Sequence, residues 1–164
     1  MQNNDVRAKM LALLDEAKAE YKVYEHRAVW DYEGYEAVAK ETGWQGTEGK
    51  NLVMKSGDDY LVYATLQGAR VDTKAMKKHL GTKKLRMANA EELDGKFGAE
   101  PGNAYPFGFD ADVQIIVDPA VFEQEWLLLS LGGAEATVQV RGADLTRVFE
   151  GLPNEVEILA MNQE

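Results

Sequence analysis

Hydrophobic and polar residues alternate along this chain with two different spacings. Near the start, apolar side chains recur every three or four residues, which predicts an amphipathic helix over residues 5–20. Residues 21–26 then alternate one by one, as in an edge strand. A second helix is expected over residues 34–42, because Gly43 can end it.

The rest of the chain continues this mixture of helical and strand spacing. Two β-rich runs, at residues 51–55 and 59–65, are separated by a Ser-Gly-Asp sequence that favours a hairpin. The remaining elements are helices at residues 73–80, from residue 89 onward and at 143–149, and strands at 113–117, 125–129, 136–140 and 156–159. This order predicts an α+β fold, with residues 1–164 forming one compact domain of helices on a curved mixed sheet.

Composition narrows the class of protein. Hydrophobic residues make up 45% of the chain and charged residues 28%, as in a globular domain. We find no apolar run of about 18 residues and no signal peptide pattern at the start, so we expect no membrane partner. The chain also has no cysteine, which excludes disulfides and thiol chemistry. We therefore expect a cytoplasmic protein.

Charge is distributed unevenly along the sequence. The net charge of −10 argues against general nucleic-acid binding, because phosphate contacts need cations. Six basic residues nevertheless lie close together, and we call them the basic strip: Arg70, Lys74, Lys77, Lys78, Lys83 and Lys84. Either this strip contacts one RNA strand locally, or it is a solvated helix face beside a basic turn.

The common catalytic residue sets are missing. The sequence has two histidines, His26 and His79, which stand in unlike settings, whereas a zinc site needs three or four suitable ligands. The serine nucleophile elbow and the phosphate-binding P-loop motif are also absent. We expect neither a metal nor another cofactor.

Two segments suggest a binding site. Gly46 and Gly49 allow a tight turn, after which Lys50 and Asn51 lead into a hydrophobic strand. The Lys50 ammonium could hold a carbonyl or carboxylate group there, or it could simply cap an exposed strand end. The second segment, residues 98–108, is rich in glycine and proline, and we call it the glycine–proline loop. It could form a preorganised binding wall, or it could be a plain connection.

Taken in order, these segments resemble the YbaK/prolyl-tRNA-synthetase insertion-domain family of editing deacylases. Residues 49–55 (GKNLVMK) look like the family strand whose first lysine is its hallmark site residue. Residues 80–88 (LGTKKLRMA) resemble its helix-turn-strand segment, and the motifs at 98–102 (GAEPG) and 106–108 (PFG) look like its glycine–proline loop. The resemblance runs from about residue 17 to residue 159.

The resemblance implies a mixed, partly barrel-like domain that hydrolyses the ester between an amino acid and the acceptor end of tRNA. Lys50 would position the aminoacyl group, and a water molecule or the terminal ribose hydroxyl would attack. An activated ester mainly needs orientation and oxyanion stabilisation, so a missing side-chain nucleophile is no objection. The further substrate-binding positions are His26, Asn51, Gly98, Pro101, Gly102, Pro106, Phe107, Gly108, Ser130 and Gly132. An aminoacyl-tRNA synthetase is a candidate second partner.

The sequence also departs from the family pattern. Ser130 stands roughly where members specific for alanine on proline tRNA carry a histidine, so we expect a small residue of the serine, threonine or alanine class as substrate. Two other functions stay open at this point. The domain could be a noncatalytic module that binds an aminoacyl end or another small ligand, or it could act on a free aminoacyl ester or thioester.

Overall fold

The computed structural model describes residues 3–163. The predicted domain bounds of 1–164 therefore extend beyond the described residues, and so does the first part of the segment in which we expect no signal peptide. Within this range the chain forms six α-helices: α1 (Asn3–Glu16), α2 (Tyr32–Thr42), α3 (Thr73–Leu80), α4 (Ala90–Glu92), α5 (Ala120–Glu123) and α6 (Leu145–Glu150). A π-helical turn at Leu93–Phe97 extends α4, and a 3₁₀ turn at Gly142–Asp144 precedes α6.

The eight strands of the described residues belong to one mixed sheet. They are β1 (Tyr21–Glu25), β2 (Thr47–Ser56), β3 (Asp59–Leu66), β4 (Arg86–Met87), β5 (Gln114–Val117), β6 (Trp126–Ser130), β7 (Ala136–Arg141) and β8 (Val156–Ile158). Their order is β1-β7-β6-β2-β3-β5-β8, and β4 pairs with β2 beside this path. The predicted α+β class and the single mixed sheet are therefore confirmed.

Strand β2 connects the two halves of the sheet. It pairs with β3 in antiparallel register from Gly49 to Ser56, and with β6 in parallel register at Thr47 and Glu48. On the other side of β6, the antiparallel strands β7 and β1 complete that half. Glu48 lies opposite Leu128 of β6, while Lys50 lies opposite Thr65 of β3. Side chains from both halves can therefore converge beside β2.

The first helix is shorter than its hydrophobic spacing predicts. Val6, Met10 and Leu14 are fully buried against the sheet, which explains the helical spacing. The helix ends at Glu16 rather than near residue 20, because Lys18 adopts a left-handed conformation with φ of 56°. This turn sends the chain directly into β1.

The prediction of a tight turn between Gly46 and Gly49, with the strand starting after it, is wrong. Strand β2 begins at Thr47, so Glu48, Gly49 and Lys50 lie within it. Gly46 alone has an unusual backbone, with φ of 132°, and a Cβ atom there would lie 2.5 Å from the backbone oxygen of Trp126. A Cβ atom at Gly49 would lie 2.8 Å from Leu129 Cδ2. Both glycines therefore allow β2 to approach β6 closely.

Most other predicted elements lie within one or two residues of the observed ones. The short helix α5 was not predicted, and the short strand β4 was indicated only by the resemblance of residues 80–88 to the family's helix-turn-strand segment. Among the described helices, none combines the length and the apolar character that crossing a bilayer requires.

Candidate functional site

A cavity of about 360 Å³ lies beside β2, where the two halves of the sheet meet. Its walls come from the segment between β1 and α2, from the middle of β2, from the ends of β6 and β7, and from residues 102–104 of the glycine–proline loop. Five of the predicted site residues line this cavity: His26, Lys50, Asn51, Gly102 and Ser130. The fold thus brings together residues that are up to 104 positions apart in the sequence.

Lys50 presents a cation in this cavity. Its side chain is half-buried, and Nζ donates a hydrogen bond of 3.0 Å to the backbone oxygen of Ala69. No described residue forms an ion pair with it. A lysine ammonium has three donors, so two of them are available to a ligand.

Glu48 lines the same cavity, and its carboxylate was not singled out from the sequence. Its Oε2 atom is buried and accepts no hydrogen bond from any described residue. Burial beside apolar groups raises the pKa of the Glu48 carboxyl from 4.5 to about 7. The carboxyl therefore changes its charge near neutral pH, and its oxygen is free to accept a donor from a ligand.

A chain of polar side chains from three elements flanks Glu48. His26 Nδ1 lies 2.7 Å from the backbone oxygen of Arg27, so in the neutral ring this nitrogen carries the proton. Nε2 then accepts a hydrogen bond of 2.9 Å from Thr137 Oγ1. The hydroxyl of Tyr35 lies beside Thr137, and burial raises the pKa of that phenol well above its ordinary value. Trp44 packs against His26 and fixes this wall.

Ser130 joins the glycine–proline loop to the end of β6. Its hydroxyl lies 3.1 Å from Oδ1 of the buried Asn103 and accepts a hydrogen bond of 3.2 Å from the backbone nitrogen of Gly132. Asn51, on the facing strand, donates a long hydrogen bond of 3.5 Å to the backbone oxygen of Ala104. These contacts hold residues 102–104 against the cavity, which gives Ser130 and Asn51 positioning roles in this structure.

The other predicted substrate-binding residues do not line the cavity: Gly98, Pro101, Pro106, Phe107, Gly108 and Gly132. Phe107 is fully buried in the main core, where its ring packs edge-on against Phe149. Gly108 faces Met10 of α1, and Gly132 faces Val6 of the same helix. Only residues 102–104 of the glycine–proline loop line the cavity, while Ala99, Tyr105 and Phe107 of the same loop lie in the core.

The mouth of the cavity is apolar and exposed. Four large hydrophobic residues in the described part of the chain are more than half exposed, and three of them line this cavity. These three are Trp30, Tyr32 and Met87. Aromatic side chains at an open mouth offer flat surfaces on which a nucleic-acid base can stack.

The basic strip begins next to the Lys50 acceptor. Ala69, which accepts the Lys50 hydrogen bond, directly precedes Arg70. Five residues of the strip are exposed and Lys77 is half-buried, and none of the six forms an ion pair with a described residue. By contrast, the neighbouring Arg86 pairs with Glu92 at 2.7 Å. The strip is therefore a surface of positive charge without ion pairs to described residues, and its first residue directly follows the acceptor of the Lys50 hydrogen bond.

A metal site is not found in the described part of the chain. No group of three or more histidine or carboxylate side chains between residues 3 and 163 is arranged to hold an ion. Of the two histidines, His26 contacts Thr137 and His79 contacts Glu157 at 2.7 Å.

Sequence comparisons assign the family. The model of the aminoacyl-tRNA editing domain matches residues 31–148, which is more than half of the chain. The multifunctional Ser/Thr-tRNA deacylase ProXp-y of Escherichia coli K12 is 27% identical over 147 residues, covering 87% of each chain. The prolyl-tRNA editing protein ProX of Acetoanaerobium sticklandii is 26% identical over 157 residues, covering 92% of this chain and 94% of that protein.

Two further comparisons extend this picture. A proline–tRNA ligase of Trichlorobacter lovleyi is 28% identical over 102 residues, which span 62% of this chain and 17% of that enzyme. A solved structure described as a candidate trans-editing enzyme for prolyl-tRNA synthetase superimposes with a TM-score of 0.73 at 18% identity, covering 97% of each chain. The fold agrees, and the resemblance inferred from the motifs is confirmed: this chain belongs to the aminoacyl-tRNA editing domain family.

Proposed function

We propose that this protein hydrolyses the ester between a mischarged small amino acid and tRNA. The observation that carries the proposal is the Lys50 ammonium, which lies in the cavity with one hydrogen bond to a backbone oxygen and two donors left. Family membership and the names of the relatives, among them a Ser/Thr-tRNA deacylase and a prolyl-tRNA editing protein, support an aminoacyl-tRNA substrate.

Lys50 positions the substrate in this proposal and does not attack it. One of its free N–H groups donates to the ester carbonyl oxygen and stabilises the negative charge that develops there. Water adds to the carbonyl carbon, and the bond from that carbon to the ribose oxygen breaks. The water supplies the hydroxyl of the released amino acid and the proton of the freed ribose hydroxyl. The adjacent ribose hydroxyl is the second candidate for the attacking group; its attack moves the acyl group onto that hydroxyl, and water then cleaves the new ester to release the amino acid.

The surroundings of the cavity suit the acceptor end of a tRNA. Trp30 and Tyr32 at the mouth offer stacking surfaces for terminal bases, and the basic strip offers cations for the phosphates that follow. The similarity to a Ser/Thr-tRNA deacylase supports a serine, threonine or alanine side chain in the cavity. The match to a segment of a proline–tRNA ligase supports an association with a synthetase.

The test is a deacylation screen with Lys50→Ala. Purified protein is mixed with a panel of mischarged tRNAs without added metal, and release of the amino acid is followed over time. We expect wild-type protein to hydrolyse at least one small aminoacyl-tRNA, and Lys50→Ala to lose about 100-fold or more of kcat/KM. Lys40→Ala, which removes an exposed lysine outside the cavity, is the matched control.

The outcomes separate this function from the alternatives. A folded Lys50→Ala variant with full activity would refute the role of Lys50. If the protein binds the aminoacyl-tRNAs but hydrolyses none in the panel, the result would instead support a noncatalytic module. Equal rates on aminoacyl-tRNA and on a free aminoacyl ester would show that the protein does not recognise the tRNA part of the substrate.

A further inference from the structure

The proposed hydrolysis does not use the carboxylate of Glu48. This group lies in the site, has a buried oxygen without a donor, and is surrounded by the apolar Leu128 and the buried phenol of Tyr35. A buried acceptor that lacks a partner destabilises a folded protein, and a charged one does so more strongly. Such an arrangement is typical of a group whose partner arrives with the ligand.

Glu48 and Lys50 carry opposite charges at two positions of the same strand. They are two positions apart on strand β2, so their side chains lie on the same face of the sheet, about 7 Å apart at the backbone. No ion pair joins Glu48 to Lys50 or to any other described residue. Each charge is therefore available to a separate part of a bound molecule.

An aminoacyl ester carries two groups that match this pair. Its carbonyl oxygen takes on negative charge during hydrolysis, and its α-ammonium group lies one carbon atom away from that carbonyl. When the carbonyl faces Lys50, the ammonium can face the carboxylate two residues earlier on the strand. The ammonium would supply both the hydrogen-bond donor that Glu48 Oε2 lacks and a compensating charge.

On the basis of the proposed function, we propose that Glu48 binds the α-ammonium group of the aminoacyl ester. The site then selects esters with a free amino group over esters in which the amine is blocked or replaced. Glu48 is a specificity-determining residue in this scheme, while Lys50 acts on the carbonyl. The competing role for the same carboxylate is that of a general base for the attacking water.

Three matched substrates distinguish these roles. One is the aminoacyl-tRNA that wild-type protein hydrolyses fastest, the second carries a hydroxyl in place of the amine, and the third carries an N-acetyl group. We expect wild-type protein to favour the free amine over the hydroxyl by about 10- to 100-fold in kcat/KM, and to exclude the N-acetyl substrate. Glu48→Gln should lose this preference, because its rate falls much more on the amine substrate than on the hydroxyl substrate.

The controls keep the inference separate from the proposed function. Glu33→Gln removes an exposed carboxylate of α2 outside the cavity and should keep the wild-type preference. Binding of amide-linked analogues of the aminoacyl-adenosine end, with and without the amine, measures the same preference without hydrolysis. If binding depends on the amine but no substrate is hydrolysed, the proposed function is refuted and the assignment of Glu48 is retained.

Two results would overturn the assignment of Glu48. One is equal binding of the two analogues by wild-type protein. The other is an equal loss of rate in Glu48→Gln on the amine and hydroxyl substrates, since a general base is needed for both.

Discussion

Replacing Glu48 by glutamine also tests how much the burial of this carboxyl group changes the free energy of unfolding. Folding raises the pKa of the Glu48 carboxyl from 4.5 to about 7, because burial disfavours its ionised form. Between these two pH values the folded state binds more protons than the unfolded state. The free energy of unfolding of the wild-type protein therefore falls as pH rises through this window. Glutamine cannot ionise, so the variant lacks this contribution.

The size of the effect follows from the pKa difference. The change from 4.5 to about 7 corresponds to about 3 kcal/mol when solvent does not reach the group. Solvent reaches part of the Glu48 side chain, which is half-buried, and this lowers the effect to about 1–2 kcal/mol. We therefore expect Glu48→Gln to match the wild-type stability below pH 4.5 and to exceed it by about 1–2 kcal/mol above pH 7.

Urea unfolding measured between pH 4.5 and pH 8 checks this expectation. All other carboxylates are shared by the two proteins, so their titration cancels in the difference. The exposed control Glu33→Gln should show no such pH dependence. A stability difference between Glu48→Gln and wild type that is constant across this range would refute the reasoning, because it would mean that Glu48 has the same pKa in both states.

Three further predictions concern the mouth, the basic strip and the sheet. Trp30→Ala should raise KM for aminoacyl-tRNA about tenfold at unchanged kcat, and steady-state kinetics that show a lower kcat instead would exclude a stacking role. A second variant replaces four lysines of the basic strip by glutamine: Lys77, Lys78, Lys83 and Lys84. Its KM should depend less steeply on salt than that of the wild type, and an unchanged salt dependence would show that these lysines do not contact phosphates. Gly46→Ala should lower the free energy of unfolding by about 3 kcal/mol or more, because its Cβ would lie 2.5 Å from the backbone oxygen of Trp126, whereas Gly57→Ala, with open space around it, should cost about 1 kcal/mol in the same urea assay. Equal losses in the two glycine variants would contradict this account.

The spacing of hydrophobic residues was sufficient to predict most elements, because packing against one sheet imposes that spacing. It failed where a local signal had two interpretations. Gly46 and Gly49 indicate a turn when they are considered locally, but in the structure both allow β2 to approach β6 closely. The end of α1 was misplaced for a similar reason, since the turn at Lys18 uses a non-glycine residue in a left-handed conformation.

Only those residues of the candidate site that belong to family-like motifs could be predicted from the sequence. The family-like motifs brought attention to Lys50, Asn51 and Ser130, which the fold does place at one cavity. Tyr35 and Thr137 could not be found in this way, because their roles depend on the packing of α2 over the end of β7. The roles of the six loop and turn residues that lie away from the cavity stay untested predictions.

The misassigned turn also explains why Glu48 was overlooked. A glutamate in a solvent-exposed turn would be one of many acids in a chain of net charge −10. Once β2 begins at Thr47, Glu48 instead becomes a strand residue opposite Leu128 and two positions before Lys50. The close approach of β2 to β6, which Gly46 and Gly49 permit, therefore brings the carboxylate against β6, in the cavity that Lys50 also lines. The same glycines that let the two strands pack closely thus bring Glu48 into the cavity of Lys50, where the two charges recognise an aminoacyl ester in our proposal.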